Sequence, residues 1–471
     1  MTIDMLPDLA LLEIFDFYVA ESQASNHLFS DRVTWIALVH VCRKWRDIVF
    51  ASPRRLNLLL FVTPTRSSKK MLDTWPPLLI DIWGFELRRG IDTIIAALEH
   101  DDRIRQIELF DSSSFHMDQA FAAMRKPFPE LIGLTLSFFD EDPDQVTWPV
   151  IPDSFLGESV PRLQSLRLIR IPFPVPVLRK LLLSATDLVK IRIWNPPNSW
   201  YISPEEIVTC LSTLTRLEVF ELGFQSRDNR GGGRLPPSTR YVFPALTSLQ
   251  YKGVYGYMED LLARIDAPQL EYLKLFLFYQ RVLDAPQLVQ FIGRTPRFKA
   301  LNESHIFFHG LGIFISLPLT LRRGIHFGLI RRRPDQLSSL VKLCTSSFLR
   351  SLIPIVEHLY ILEHGSLLRD GSGWEDNQWR EILHPFTAVK NLYLSKRVAP
   401  TLYGSVGEGT TEVLPALRNL FLPRLPSPGL FGEIVRQFVA ARQLSSHQIA
   451  ISYWDGEFDE WLEWLELGDA L

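Results

Sequence analysis

Cysteine is scarce in this chain of 471 residues: Cys42, Cys210 and Cys344 lie far apart, without a CxxC spacing. That excludes a disulfide framework and a cysteine zinc site, and it suits a reducing compartment. Charge imbalance is missing as well. A net charge of −3 argues against general attraction to nucleic acid or to an anionic membrane, so charge-based recognition has to be local. No apolar run approaches the ~18 uninterrupted residues of a membrane span. The nearest, His309 to Leu321, is broken by Gly310, Gly312 and Pro318. The start, MTIDMLPDLALLEIF, mixes acids with apolar residues and lacks the basic stretch and cleavage site of a signal peptide. A cytoplasmic or nuclear location is the expectation.

Catalytic signatures are also wanting. There is no serine elbow, no catalytic-cysteine signature and no dinucleotide fingerprint. The glycines of RDNRGGGRLPPSTR, Gly231 to Gly233, lack the lysine and serine or threonine of a phosphate loop and read as a flexible insertion. The acids of DEDPD, Asp140 to Asp144, have no calcium-loop pattern and read as a solvated loop. RRR, Arg331 to Arg333, precedes Pro334 and reads as a solvated turn. His305 with His309, and His358 with His364, have no partner ligands at metal-binding spacing. Neither catalysis nor a cofactor or metal is expected.

What is present is a repeat. Hydrophobic residues make up 46% and charged residues 22%, the balance of a folded protein, and the chain exceeds what one compact core accommodates. From about residue 100 a pattern of two spaced apolar anchors and a third two residues on recurs. It appears as IRQIEL from Ile104, LIGLTL from Leu131, LQSLRL from Leu163, LVKIRI from Leu188, LEVFEL from Leu217, LTSLQY from Leu246 and LEYLKL from Leu270. VEHLYI from Val356, VKNLYL from Val389 and LRNLFL from Leu417 follow. With degenerate copies at FKALNE from Phe298 and near GIHFGL, Gly324 to Leu329, the step is roughly 28 residues, within the range of leucine-rich repeats. Each unit reads as a short strand, and PEEIVTCLSTL and APQLVQFIGR read as helices between strands. Pro129, Pro161, Pro244, Pro268 and Pro415 stand just before strands, where they stop a helix and redirect the chain.

Such units bury their apolar sides only against one another, which predicts an α/β solenoid, a curved arc of short parallel strands with outer helices. A barrel of eight βα units is the competing reading. The copies outnumber eight, and spaced leucines differ from the continuous branched runs of a buried parallel sheet. The final segment, WDGEFDEWLEWLELGDAL, sets Phe458, Trp461, Leu462 and Leu465 on one side and reads as an amphipathic cap over the last repeat.

Before the repeats stands a different module. In LPDLALLEIFDFYVA only Asp8, Glu13 and Asp16 interrupt the apolar residues, and VTWIALVHVCRKWRDIVF reads as a second helix with His40, Arg43, Lys44 and Asp47 on its polar side. A helix apolar nearly all round is buried on more than one side, and fifty residues bury too little to do that alone. A partner groove is the economical explanation.

Leu6-Pro7, Leu12-Glu13-Ile14-Phe15 and Val41-Cys42-Arg43-Lys44-Trp45-Arg46 together resemble the F-box motif. SPRRLNLLLFVTPTRSSKKMLDTWPPLLIDIW, Ser52 to Trp83, is similar to the segment that follows it in a large group of F-box-like proteins with leucine-rich repeats from mushroom-forming fungi. The linker ESQASNHLFSDR is longer than in most of them. The resemblance implies a non-catalytic substrate receptor of a ubiquitin ligase, which binds a Skp-type adaptor and through it a cullin. It implies that Leu6, Pro7, Leu12, Ile14, Phe15, Val41, Cys42 and Trp45 occupy the adaptor groove or support it. A repeat scaffold without a ligase connection is the alternative.

The expected organisation is an F-box-like helical module over residues 1–60, a linker leading in over 61–100, the solenoid over 101–450 and the cap over 451–471. Residues alternating away from the leucines line the inner strand surface. Arg167, Lys190, Arg192, Trp194, Lys252, Tyr272, Lys274 and Phe276 are expected there, a basic and aromatic set suited to an acidic or phosphorylated protein segment and less suited to nucleic acid.

Overall fold

A computed structural model describes residues 6–24, 35–53, 55–56, 58–64, 72, 77–139, 147–197, 200–224, 239–278, 285–300, 302–309, 312–320, 323–330, 355–363, 376–395, 398, 413–423 and 448–454. The stretches DEDPD, GGG and RRR, and the C-terminal segment from Asp455, lie outside them, as does His364. The chain divides into two units, Met1–Trp200 and Tyr201–Leu471.

The first unit opens with three helices, α1 (Asp8–Ala24), α2 (Trp35–Val41) and α3 (Arg43–Ala51). The single second helix expected from VTWIALVHVCRKWRDIVF is two. Cys42 adopts an extended backbone (φ −157°, ψ 173°) and caps α3, its Sγ accepting from the Trp45 N–H at 3.5 Å. The break resets the helical phase, so Val41 no longer shares a side with Ile48 and Val49. Leu11, Leu12, Phe15, Val19, Trp35, Leu38, Val39, Ile48 and Val49 form the buried interior of the module. The Trp35 indole donates to the Leu59 carbonyl at 3.1 Å and ties α2 to the first strand.

Strands β1 (Leu59–Val62), β2 (Leu79–Phe85), β3 (Ile104–Asp111), β4 (Gly133–Phe138), β5 (Ser165–Ile169) and β6 (Lys190–Trp194) follow, each pairing in parallel with the next. The sheet thus begins at Leu59, at the end of the expected helical module, and β2 lies in the stretch expected to lead in as a linker. LLFV and LIDIWGF are short apolar strands without the spaced leucines, which is why the repeat pattern did not mark them. The helices Ile91–Leu98, Ser114–Ala123 and Val175–Ser184 bury Ile94, Phe121, Leu178 and Leu181 among the strand leucines.

The second unit carries β7 (Val219–Gly223), β8 (Tyr241–Val242), β9 (Ser248–Gly253), β10 (Ile265–Asp266) and β11 (Tyr272–Phe278). β12 (Glu303–His309), β13 (Gly312–Thr320), β14 (Arg323–Ile330), β15 (His358–Glu363), β16 (Asn391–Leu394), β17 (Asn419–Pro423) and β18 (Ala450–Trp454) complete it. β8 and β10 form a separate small pair. The main order is β7-β9-β11-β14-β13-β12-β15-β16-β17-β18. Ser203 and Glu206 form a reciprocal capping box on the helix Pro204–Leu211, and these hydrogen bonds hold the Glu206 carboxyl below its usual range.

The prolines act through turn chemistry. Pro129, Pro161, Pro244, Pro268 and Pro415 each occupy the second position of a tight turn, and the carbonyl of the preceding residue accepts from the first leucine of the motif. The donors are Leu131, Leu163, Leu246, Leu270 and Leu417, at 3.1–3.3 Å. Proline is preset for that position because its ring fixes φ. The turn then feeds directly into a strand.

One stretch departs from the expected parallel repeat. β12, β13 and β14 form an antiparallel meander, with β14 seated in parallel beside β11 and β12 in parallel beside β15. Only two residues separate β12 from β13 and β13 from β14, a length that joins antiparallel strands and cannot span a parallel crossover. The broken apolar run from His309 is therefore β13. Among the rings here, Gly328 sits between Phe276 and Phe314 in register, and a Cβ on it would lie 2.4 Å from Phe276 Cδ1. Gly328→Ala should lower stability by about 1–3 kcal/mol in urea unfolding, because the ring has to leave its place. A change under about 0.5 kcal/mol would contradict this close fit.

Candidate functional site

The N-terminal helices divide the predicted adaptor residues into two sets. Leu12 and Phe15 are buried, and Phe15 packs its ring 4.7 Å from that of Trp45, which is half-buried. Leu6 and Cys42 are half-buried too. Lys44 Nζ donates to the Leu6 carbonyl at 3.0 Å and lies 3.5 Å from Asp8, so α3 holds the start of α1 in place. Pro7, Ile14 and Val41 face solvent instead.

Beside them are residues the motif did not single out. Leu9 and Phe17 are each 71% exposed, and Tyr18 joins them, while Ile14, Phe17 and Tyr18 are neighbours at i, i+3 and i+4. Their signal in the sequence was the apolar content all round α1, which says that a second face needs cover without saying which residues form it. α1 and α2 thus present large apolar side chains to water at the end of a module whose interior is already filled. Isolated exposed apolar residues are ordinary; several on one helix form an apolar face in contact with water.

In the first unit the face opposite the leucines carries the expected alternation. Ser165 is in register with Lys190, Arg167 with Arg192 and Ile169 with Trp194. Lys190 is exposed, Arg167 and Arg192 are half-buried, and Trp194 is buried. Arg167 and Arg192, directly opposite one another on adjacent strands, concentrate positive charge on this part of the face. Arg170, just past β5, stands 6.0 Å from the Trp148 ring centroid. Two strands away the character changes: Glu108 accepts from Gln106, and Asp81 is held by both Nε and Nη2 of Arg105 at 2.9 and 2.6 Å. Among the described strands of the first unit, the basic character is confined to β5 and β6.

The second unit corrects part of the expected surface. Lys252 and Tyr272 are half-buried, but Lys274 and Phe276 are each only 6% exposed. Lys274 Nζ lies 4.7 Å from the Phe276 ring centroid. Burial pulls its pKa down to about 8, with Glu221 opposing and Lys252 reinforcing the shift. Next in register, His326 is fully buried, its Nδ1 2.9 Å from Ser316 Oγ, and burial, Lys274 and His305 lower its pKa to about 3. The strand face is polar in type here and largely closed to solvent, because the meander brings Phe307 and Phe314 against Phe276 and Leu362.

A lysine whose folded pKa lies below its unfolded value costs stability while both states are charged, and the cost disappears as pH rises from about 8 toward the ordinary lysine value of 10.5. Wild type should therefore gain about 3 kcal/mol relative to Lys274→Met across that window. Guanidinium unfolding of both proteins at pH 7.5 and 10.5 measures the gap, and a constant difference would place Lys274 in solvent.

Among the described residues no three His, Cys, Asp or Glu side chains are grouped to hold a metal, and no helix is long and apolar enough to cross a membrane.

Parallel strands in register, leucines on one side and helices behind them define a leucine-rich-repeat type of architecture on this chain's own geometry. No protein-family model matches the chain, and no curated protein does. Among solved structures it is similar to the leucine-rich-repeat-containing protein LegL7 from Legionella pneumophila, at 13% identity over 81% of this chain and 97% of that one, with a TM-score of 0.30. It is also similar to TLR13, solved in complex with ssRNA13, at 10% identity over 77% of this chain and 45% of that one, again with a TM-score of 0.30.

Proposed function

We propose that this chain is the non-catalytic substrate-recognition subunit of a Skp-cullin-F-box ubiquitin ligase, working in the cytoplasm or nucleus. The carrying observation is the apolar surface of α1 and α2, where Leu9, Ile14, Phe17 and Val41 face solvent beside the leucine-proline start and the VCRKW segment. A Skp-type adaptor covers that surface and links the chain to a cullin. The buried members of the motif, Leu12 and Phe15, act by holding the helices in position. The repeats supply the substrate surface, and the registered Arg167 and Arg192 with Lys190 favour an acidic or phosphorylated segment.

Co-expression with the cognate Skp-type adaptor tests the reading. A co-eluting complex is expected on size-exclusion chromatography, with the chain alone poorly soluble or self-associated. A soluble monomer that ignores the adaptor would refute it.

A further inference from the structure

Two side-chain ladders cross the second unit and stop on the same strand. The first is aromatic: His305, Tyr360, Tyr393 and Phe421 occupy one register row on β12, β15, β16 and β17. Their ring centroids are 4.3, 4.1 and 4.2 Å apart, with interplanar angles of 17°, 8° and 7°. The second is polar and runs two residues earlier on each strand, through Glu303, His358, Asn391 and Asn419. Asn419 Nδ2 donates to Asn391 Oδ1 at 2.7 Å, and Asn391 Nδ2 lies 3.3 Å from His358 Nδ1. Stacked rings and amide ladders of this kind reinforce adjacent strands, which accounts for them as far as β17.

At β18 both ladders end. Ser452 stands opposite Phe421, and Ala450 stands opposite Asn419. Neither residue supplies the ring or the donor that the rows call for. The far face of Phe421 therefore carries no ring among the described residues, and Asn419 Oδ1 is the last acceptor of the amide ladder. Both lie above a strand whose first four residues are exposed, and β18 pairs only with β17 among the described strands.

The geometry points to this end of the sheet as a binding site for an extended peptide segment that carries a tryptophan or tyrosine. The segment's backbone pairs with the edge of β18 that no described strand occupies. Its aromatic ring lies over Ser452, stacks on Phe421 and donates its N–H or O–H to Asn419 Oδ1, continuing both ladders by one member. Trp454 shows that a side chain rooted on β18 reaches this far, since its indole crosses β17 and donates to the Leu394 carbonyl on β16 at 3.2 Å. A phenylalanine fills the stacking position and leaves the amide unpaired. The site does not rest on the adaptor-binding reading, and its failure would leave that reading untouched.

Fluorine NMR on the full chain tests it, with a blocked pentapeptide bearing 5-fluorotryptophan at its centre and valine and threonine on either side. The fluorine signal should broaden on addition of protein, and the 4-fluorophenylalanine counterpart should bind roughly three- to tenfold more weakly, as expected for one hydrogen bond. Ser452→Tyr places the protein's own ring on Phe421 and should weaken tryptophan-peptide binding at least about tenfold, a loss set by stacking and occlusion. Should that variant not fold, Asn419→Leu carries the test alone by removing the difference between the two peptides. No broadening, equal binding to wild type and Ser452→Tyr, or a tryptophan preference that survives Asn419→Leu would overturn the proposal. Competition by adenosine monophosphate at peptide-like affinity would also overturn it, because it would show a site for free planar bases.

Discussion

Replacing Leu9 and Phe17 together with aspartate should abolish adaptor capture while leaving the chain folded. Both side chains are 71% exposed, so their charges meet water in the free protein and cost it little. In a complex the same charges would enter an apolar groove without partners, at several kcal/mol each. The expected loss is more than a hundredfold in affinity, read by titration calorimetry against the Skp-type adaptor, with an unchanged circular dichroism spectrum. Capture within about threefold of wild type would mean that this face of α1 is not the contact. Leu12 and Phe15 are unsuitable for that experiment despite their place in the motif: they are buried in the module, and charging them would unfold it.

Truncation of Phe15 should have the largest effect on stability. Its side chain has no exposure and its ring meets Trp45, so Phe15→Ala leaves a cavity between α1 and α3 and should cost about 3–5 kcal/mol. Trp45→Ala should cost less, because that side chain is half-buried. Lys44→Ala should cost least, removing a surface-side contact to Leu6 and Asp8. Hydrogen exchange of the α1 and α3 amides would rank the three. An effect of Trp45→Ala greater than that of Phe15→Ala would reverse the packing assignment.

These two positions show how far the sequence carries. The apolar composition of α1 announced a helix needing cover on two sides, but only packing reveals that Phe15 faces inward and Phe17 outward. The continuous helical spacing across Val39 to Val49 concealed the break at Cys42, since one extended residue alters the phase without altering the pattern. The repeats were far more legible. A leucine three residues from another, two from a third and preceded by a turn proline has one physical use, and each LxxLxL copy feeds a strand. The meander from Glu303 to Ile330 was not legible because its strands are buried on both faces, so no alternation of apolar with solvated residues marks them. For the same reason Lys274 and Phe276 alternate as expected on β11 yet lie inside.

The central claim is that the exposed face of the N-terminal helices is where an adaptor binds, and hydrogen–deuterium exchange with and without the Skp-type adaptor addresses it most directly. Burial of that face predicts slowed exchange in peptides covering Asp8–Ala24 and Trp35–Val41, with the strands from β3 to β17 unchanged. Protection confined to the repeats, or none anywhere in the chain, would contradict the account.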